Sequence, residues 1–470
     1  MPRPEPRNIM AHAVAVLLLG GCAAAGPNYE RPETVLPETF ANAPSSGAEA
    51  MFGSAPPSAL WASLNDPVLD DLLKSAEAGS TDIAAALATL DESRALAGLT
   101  TFSLFPTVTA ETSADRNRLS DRDPFAFPGL GVIDVYRLGF DSTWEIDLFG
   151  SLRRQAERIF RVVEADTATL ADMRRSVLGD VAQAYFSLRG AQAELAVQRE
   201  NLGNQNETVR ILERSLRAGR GTALDVARAR ALALSVEATL PNTEAAIART
   251  VQRLAVLTAT PAAELIDTLA EGALPALPER IEIGQPQSWL ARRPDVRAAE
   301  RQLAAATSGV GVEAAEFYPK IQLNGSLGFN GRNTGAFLDE SARRWSIGPV
   351  ISWRFLDVGR VRRNVMAAEA RQRQALAAFD GVVLRALEDI ESALATFRAA
   401  DLSARAIRAA LSESETAVRL SRLRFENGAS SYLEVLDAER TRLDLANQRA
   451  QAETARATAL AVVYKALAVD

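Results

Sequence analysis

Between Leu152 and Leu216 about 65 residues pass without a proline, and the stretch from Val361 to Leu423 is equally free of them. Ala, Leu, Arg, Glu and Gln dominate both, as in Ala191-Gln192-Ala193-Glu194-Leu195. That composition favours helix and permits close coiled-coil packing. At about 1.5 Å per residue a continuous helix of such length reaches about 100 Å, wider than any compact domain. Each stretch stops at a glycine-containing turn, Gly219 to Gly221 or Asn427-Gly428, and a returning helical pattern follows, through Thr222 to Leu257 and Ser431 to Ala468. Glycine and asparagine end helices well, so the reading is two long helical hairpins. Pro241 is expected to bend or interrupt the first return helix.

The hairpins belong to a repeat of about 210 residues. Phe105-Pro106 returns as Tyr318-Pro319, Asp147-Leu148-Phe149-Gly150 as Leu356-Asp357-Val358-Gly359, and Leu224-Asp225-Val226 as Leu433-Glu434-Val435. The first repeat is placed at 59–268 and the second at 287–470. Between them an irregular belt linker, 269–286, holds Pro275, Pro278 and Pro286. Within each repeat a period of two marks a β-hairpin, at about 105–148 and about 319–358. Ile321, Leu323, Leu327 and Phe329 alternate with Gln322, Asn324, Ser326 and Asn330; Trp345, Ile347, Ile351 and Trp353 alternate with Ser346, Gly348, Ser352 and Arg354. Tyr136 to Leu148 does the same, and its partner, Thr107 to Arg116, more weakly.

The N-terminus is of another kind. Arg3 and Arg7 precede an apolar run from Ile9 to Leu19, too short for a permanent membrane span, so residues 1–21 read as a secretory signal peptide. Residues 22–58, with Pro27, Pro32, Pro37, Pro44, Pro56 and Pro57, read as an extended tether with little core. The chain has one His and one Cys, His12 and Cys22. With both near the leader, a mature chain has no imidazole for zinc or a Ser-His-Asp triad, and no free thiol nucleophile. Asp and Glu are abundant but fall on helical surfaces without a paired-carboxylate constellation, so no enzyme is expected. The net charge of -7 argues against nucleic acid as a partner.

The strand faces set the environment: one offers aromatic and aliphatic side chains, the other Gln, Asn, Ser, Asp, Glu and Arg. Together with an export signal and strands of about ten residues, this pattern fits an outer-membrane barrel wall. Four strands cannot close a barrel, and open edges are not tolerated in lipid, so the reading requires several copies. Two copies give eight strands and a filled interior; three give twelve and room for water. Polar inward faces favour three.

At this point the chain resembles the TolC-like outer membrane factor family, in its lipoprotein branch that serves multidrug efflux. The resemblance rests on Leu19-Gly20-Gly21-Cys22, which is similar to a lipoprotein cleavage box, and on Arg292-Arg293-Pro294-Asp295-Val296-Arg297-Ala298-Ala299-Glu300. It rests also on Tyr318-Pro319, Asp357-Val358-Gly359-Arg360, and Asn427-Gly428 through Tyr432-Leu433-Glu434-Val435-Leu436-Asp437. It implies an α+β fold: a membrane β-barrel with four strands per chain and twelve in a homotrimer, continued by a long α-helical coiled-coil periplasmic barrel. It implies acylation of Cys22, with Ala23 favouring passage to the outer membrane, and no cofactor beyond that covalent lipid. The implied partners are a periplasmic adaptor (membrane fusion) protein, an inner-membrane resistance-nodulation-division pump and outer membrane lipid. It implies a passive duct for small molecules whose periplasmic gate matches Ala429, Leu433 and Asp437, spaced four apart so that all three present one face of a helix start. Glu426 and Ser430 depart from the family's pattern there, and Arg424 is a candidate partner for an acidic neighbour. The alternatives are a periplasm-spanning coiled-coil lipoprotein without a pore, and an outer membrane duct for type I protein secretion.

Overall fold

The computed structural model describes residues 24–33, 36–42, 61, 64–118, 120, 131–219, 221–277, 286–335 and 338–467. The chain divides into two compact units, one drawing on the chain up to Glu33, on Thr89–Thr167 and on Ala298–Asp380, the other on Thr34–Ala88, Ala168–Arg297 and Gly381–Asp470. Each takes material from both sequence repeats, so the repeat is not a division into domains. The leader and Cys22 lie outside the described residues, as do Pro278 and its neighbours in the linker.

The first unit carries the sheet. Strands β1 (Thr107–Arg118), β2 (Val132–Ile146), β3 (Lys320–Gly331) and β4 (Arg343–Ser352) pair antiparallel in the order β1-β2-β3-β4. The pairing of β2 with β3 joins the hairpin of one repeat to that of the other. Register keeps like with like: Ala110, Phe140, Leu327 and Trp345 form one row across the sheet, while Thr109, Asp141, Ser326 and Ser346 form the next. Because successive side chains point to opposite faces, the first row lies on an apolar face and the second on a polar one. Phe140, Leu327 and Trp345 are 58%, 55% and 71% exposed. On the polar face Ser326 and Ser346 share a hydrogen bond of 2.8 Å and Arg137 pairs with Asp115 at 3.3 Å. Gly139 and Gly328 oppose one another there so closely that a Cβ on Gly328 would fall 2.3 Å from the Leu138 carbonyl oxygen.

The repeat survives at the strand ends. Trp144 donates its indole N–H to the Leu104 carbonyl at 3.0 Å, and Trp353 donates to Phe317 at 3.0 Å. Each acceptor stands two residues before the proline that opens its hairpin, Pro106 or Pro319.

Tether residues 24–33, expected to be extended with little core, are fastened to this unit by hydrogen bonds. Ala25 N–H donates to Phe149 O at 3.0 Å, Arg154 to Asn28 Oδ1 at 2.7 Å, and Tyr29 Oη to Glu300 Oε1 at 2.9 Å. Gly26 adopts a left-handed backbone, φ +83°, and sits against Gly311 where a Cβ would lie 2.4 Å from the Gly311 Cα. In the second unit Phe40 is buried and the Glu391 carboxylate accepts from Ala41 N (2.6 Å), Asn42 N (2.9 Å) and Asn42 Nδ2 (2.9 Å). Proline density predicts an irregular backbone but not what the few intervening side chains grip.

Helices α1 (Pro67–Gly79) and α2 (Thr81–Phe102) lead to β1, and the long helix α3 (Ser151–Arg217) leaves β2. The return of the first hairpin is split into α4 (Ala223–Glu237) and α5 (Leu240–Thr258) just where Pro241 occupies the first turn. Short helices α6 (Ala262–Leu269) and α7 (Pro286–Leu290) precede α8 (Pro294–Ala315), which leads to β3. The second hairpin is α9 (Val358–Glu426) and α10 (Tyr432–Ala466). Among the described residues no helix is long and apolar enough to cross a membrane.

In the second unit α10 runs antiparallel to α3, with Lys465 bonded to Asp180 at 2.6 Å, Gln451 to Glu194 at 3.0 Å and Arg442 to Asn201 at 3.4 Å. Gly190 permits this approach: a Cβ there would stand 2.6 Å from that of Thr454. Ion pairs tie each hairpin across its helices, Arg199–Glu244 (2.9 Å) and Arg230–Glu213 (2.6 Å) in the first, Arg408–Glu453 and Arg422–Glu439 in the second. These pairs coincide when one repeat is shifted by 209 residues, and the second rung returns with its charges exchanged. Buried Arg293 closes the end of α10, donating to Ala466 O at 2.9 Å while paired with Asp295 at 2.7 Å and Asp389 at 3.1 Å.

Two substitutions on adjacent residues check the sheet assignment. Leu323→Arg is expected to destabilise the membrane-inserted protein by about 2–4 kcal/mol if its side chain meets lipid near the midplane, whereas Asn324→Arg on the opposite face costs far less. Urea titration in lipid vesicles measures both. Gly328→Val is expected to break β2–β3 pairing and leave the barrel band heat-labile on semi-native gels.

Candidate functional site

The end of the second hairpin is built by a sequence-specific stop. Gly428 takes φ +71°, its N–H donates to Phe425 O at 2.9 Å, and the next N–H, of Ala429, donates back to Arg424 O at 2.9 Å. These two bonds are those of a Schellman turn, which cap the last carbonyls of α9. Gly219, φ +70°, ends α3 in the same left-handed conformation. In the first repeat Thr222 then caps α4 by accepting from Asp225 N at 3.1 Å; in the second, Ser431 occupies the N-cap without a side-chain capping bond.

This turn corrects one part of the gate geometry. Ala429 belongs to the Schellman turn, two residues before the N-cap, and not to the helix; helical spacing therefore relates only Leu433 and Asp437. Those two lie four residues apart on α10, both exposed, Leu433 at 50%. The Asp437 side chain has no ion-pair partner among the described residues. On the opposite face Tyr432 and Val435 are buried, packed with Leu212, Val226 and Ala229 of the first hairpin. Tyr432 also meets Phe425 edge-on at 5.5 Å. Burial, with the nearby Glu439 carboxylate, pushes the Tyr432 hydroxyl up to about 12.

Charged groups fix the hairpin one turn further along. Glu439, 4% exposed, accepts from Arg422 across the hairpin and from Arg442 Nε at 3.1 Å. Arg424, for which the sequence supplied no partner, pairs with Glu434 at 3.7 Å. Glu426 is exposed and makes no ion pair among the described residues, and the Ser430 hydroxyl is buried without a hydrogen bond. The tip thus has a closed, buried face that holds two hairpins together and an open face that offers an apolar residue and a carboxylate. Among the described residues no group of three or more His, Cys, Asp or Glu could hold a metal ion.

Comparison with known proteins adds the family. The model of the outer membrane efflux protein family matches residues 72–260 and 285–469, one stretch in each repeat. The chain belongs to this family. Nodulation protein T of Rhizobium leguminosarum bv. viciae is 30% identical over 92% of this chain and 87% of its own. Outer membrane protein OprJ of Pseudomonas aeruginosa is 29% identical, covering 96% and 93%. The solved outer-membrane channel OprN is 34% identical and superposes with a TM-score of 0.88 over 95% of this chain and 99% of that one. As a member of the outer membrane efflux proteins the chain is an outer membrane channel that reaches into the periplasm, and it is not an enzyme. Its four-stranded sheet and paired long hairpins are the fold of these channels.

The pairs that fasten the tip went unseen in the sequence. The 209-residue offset could have found them, since Glu213 and Arg230 map onto Arg422 and Glu439. Removing the acid tests their weight: Glu439→Ala leaves Arg422 and Arg442 without their buried acceptor and is expected to cost about 1.5–3 kcal/mol of local stability. Faster hydrogen exchange confined to the start of α10 and the end of α9 is the readout.

Proposed function

We propose that three copies of this chain close a twelve-stranded barrel in the outer membrane and join their long hairpins into a periplasmic duct, the passive exit of a tripartite efflux assembly. The observation that carries this reading is the sheet itself. Among the described residues its outer strands, β1 and β4, each pair on one side only, and its apolar face is open. Lipid offers no hydrogen bonds, so those two edges need partners, and identical chains supply them when β1 of one copy meets β4 of the next. The row of Thr109, Asp141, Ser326 and Ser346 then lines a water-filled lumen.

In this reading a periplasmic adaptor protein and a resistance-nodulation-division pump in the inner membrane supply cargo and energy, and specificity sits in the pump. Acylated Cys22 holds the tether to the membrane. The hairpin tips close the periplasmic end, where Leu433 from each copy would form an apolar ring and Asp437 a ring of carboxylates that favours cations over anions. Ala429, on the turn below them, would narrow the same mouth from the loop rather than from the helix. The reading is supported by the open face that these residues occupy and by the buried face of Tyr432 and Val435 behind it.

Two measurements test it. Cysteines placed on the polar faces of the two edge strands, as in Glu111→Cys with Ser346→Cys in a Cys22→Ser background, are expected to give trimers on oxidation of native envelopes; recovery of monomers alone would overturn the assembly. In planar bilayers Leu433→Ala with Asp437→Ala is expected to raise single-channel conductance several-fold and weaken cation preference. No pore in either protein would favour a coiled-coil scaffold instead.

A further inference from the structure

The run Trp353-Arg354-Phe355-Leu356-Asp357-Val358-Gly359-Arg360-Val361-Arg362-Arg363 links β4 to α9 and combines two unusual exposures. Trp353, Phe355 and Leu356, which follow the end of β4, are 56%, 57% and 88% exposed, and Trp353 and Phe355 keep the alternation of Trp345, Ile347 and Ile351 on its apolar face. Immediately after them α9 opens with Arg360, Arg362 and Arg363 and no acid in its first turn. Arg360 is answered by Asp357 at 2.8 Å, but Arg362 and Arg363 are exposed and have no ion-pair partner among the described residues.

Arg362 and Arg363, in the second turn of α9, thus place two exposed cations beside an exposed apolar run. Cα–Cβ bonds tilt toward the N-terminus of a helix, so Arg362 and Arg363, one turn into α9, lean back toward the end of β4, where the apolar face of the sheet stops. We infer that the segment from Trp353 to Arg363 docks onto anionic phospholipid headgroups of the periplasmic leaflet, with the aromatic residues at the acyl boundary and Arg362 and Arg363 on phosphate. Charge complementarity and continuity with the lipid-facing sheet single out lipid as the occupant. The inference rests on the membrane-channel reading above.

The test uses the full-length protein in nanodiscs of mixed phosphatidylglycerol and phosphatidylcholine, with co-purifying lipid counted by native mass spectrometry. Wild type is expected to retain phosphatidylglycerol preferentially, and the preference is expected to fall as salt rises. Arg362→Gln with Arg363→Gln should reduce it, by about fivefold per arginine at low salt. Arg362→Lys with Arg363→Lys should keep it, and Arg398→Gln, far along α9, should leave it unchanged. No preference in wild type, a preference insensitive to salt, an unaltered preference in the glutamine variant, or displacement of phosphatidylglycerol by lipopolysaccharide would each overturn the proposal. Conductance of the same samples separates this failure from that of the channel itself: a conducting pore without lipid preference rejects only the docking site.

Discussion

Backbone hydrogen bonding at the two outer strands governs much of what this chain can be. Water would satisfy the free N–H and C=O groups of β1 and β4; hydrocarbon cannot. The exposed row of Ala110, Phe140, Leu327 and Trp345 commits one face of the sheet to an apolar surrounding, and that commitment turns the open edges from a tolerable feature into an instability. The neighbouring row, with Asp141 between Thr109 and Ser326, is equally unsuited to lipid. A sheet of this kind is stable only when closed on itself with polar residues inside, and four strands are too few. The quaternary demand therefore follows from side-chain alternation alone, before any consideration of cargo.

The long helices meet a different constraint. Their hydrophobic content is modest and much of it is alanine, so contact depends on close approach rather than on large side chains. Gly190 against Thr454 shows how near α3 and α10 come. Ion-pair rungs recur at the same level in both hairpins, one with its polarity reversed: Glu213–Arg230 in the first and Arg422–Glu439 in the second. What duplication has kept is the need for opposite charges at that level, not the residues that carry them. Exposed pairs such as Arg199–Glu244 contribute little stability singly. Their effect is on register, since sliding one helix by a turn would part each pair: Arg199 would then face Leu240 or Ala248 instead of Glu244.

Much of this architecture was readable because it is periodic. Alternation in Lys320 to Gly331 and in Arg343 to Ser352 identified strands, proline-free stretches identified the hairpins, and Pro241 marked the break between α4 and α5. Contacts between residues far apart in sequence were not readable. Glu391 holding Ala41 and Asn42, or Glu300 receiving Tyr29, leave no periodic trace. The position of Ala429 was misjudged for a related reason: spacing of four implies a shared face only inside a helix, and the Schellman turn at Gly428 delays the start of α10 past it.

The interior of the α3–α10 pair bears on how the long helices keep their alignment. Gln198, Asn201 and Gln205 are buried at helical spacing along α3, where a coiled coil would ordinarily place leucines. Gln198 Oε1, Asn201 Nδ2 and, on α10, Asn447 Oδ1 lack hydrogen-bond partners within the chain. Apolar residues there would bind the helices more tightly but would tolerate many registers, because hydrophobic contact has no direction. Polar contacts have direction: Asn201 Oδ1 accepts from Arg442 of α10 at 3.4 Å, a bond specific to this register, at the expense of adhesion. The apolar cluster of Leu212, Val226, Tyr432 and Val435 lies beyond this polar stretch, at the tip. Adhesion is thus concentrated at the end of the hairpins and registry above it.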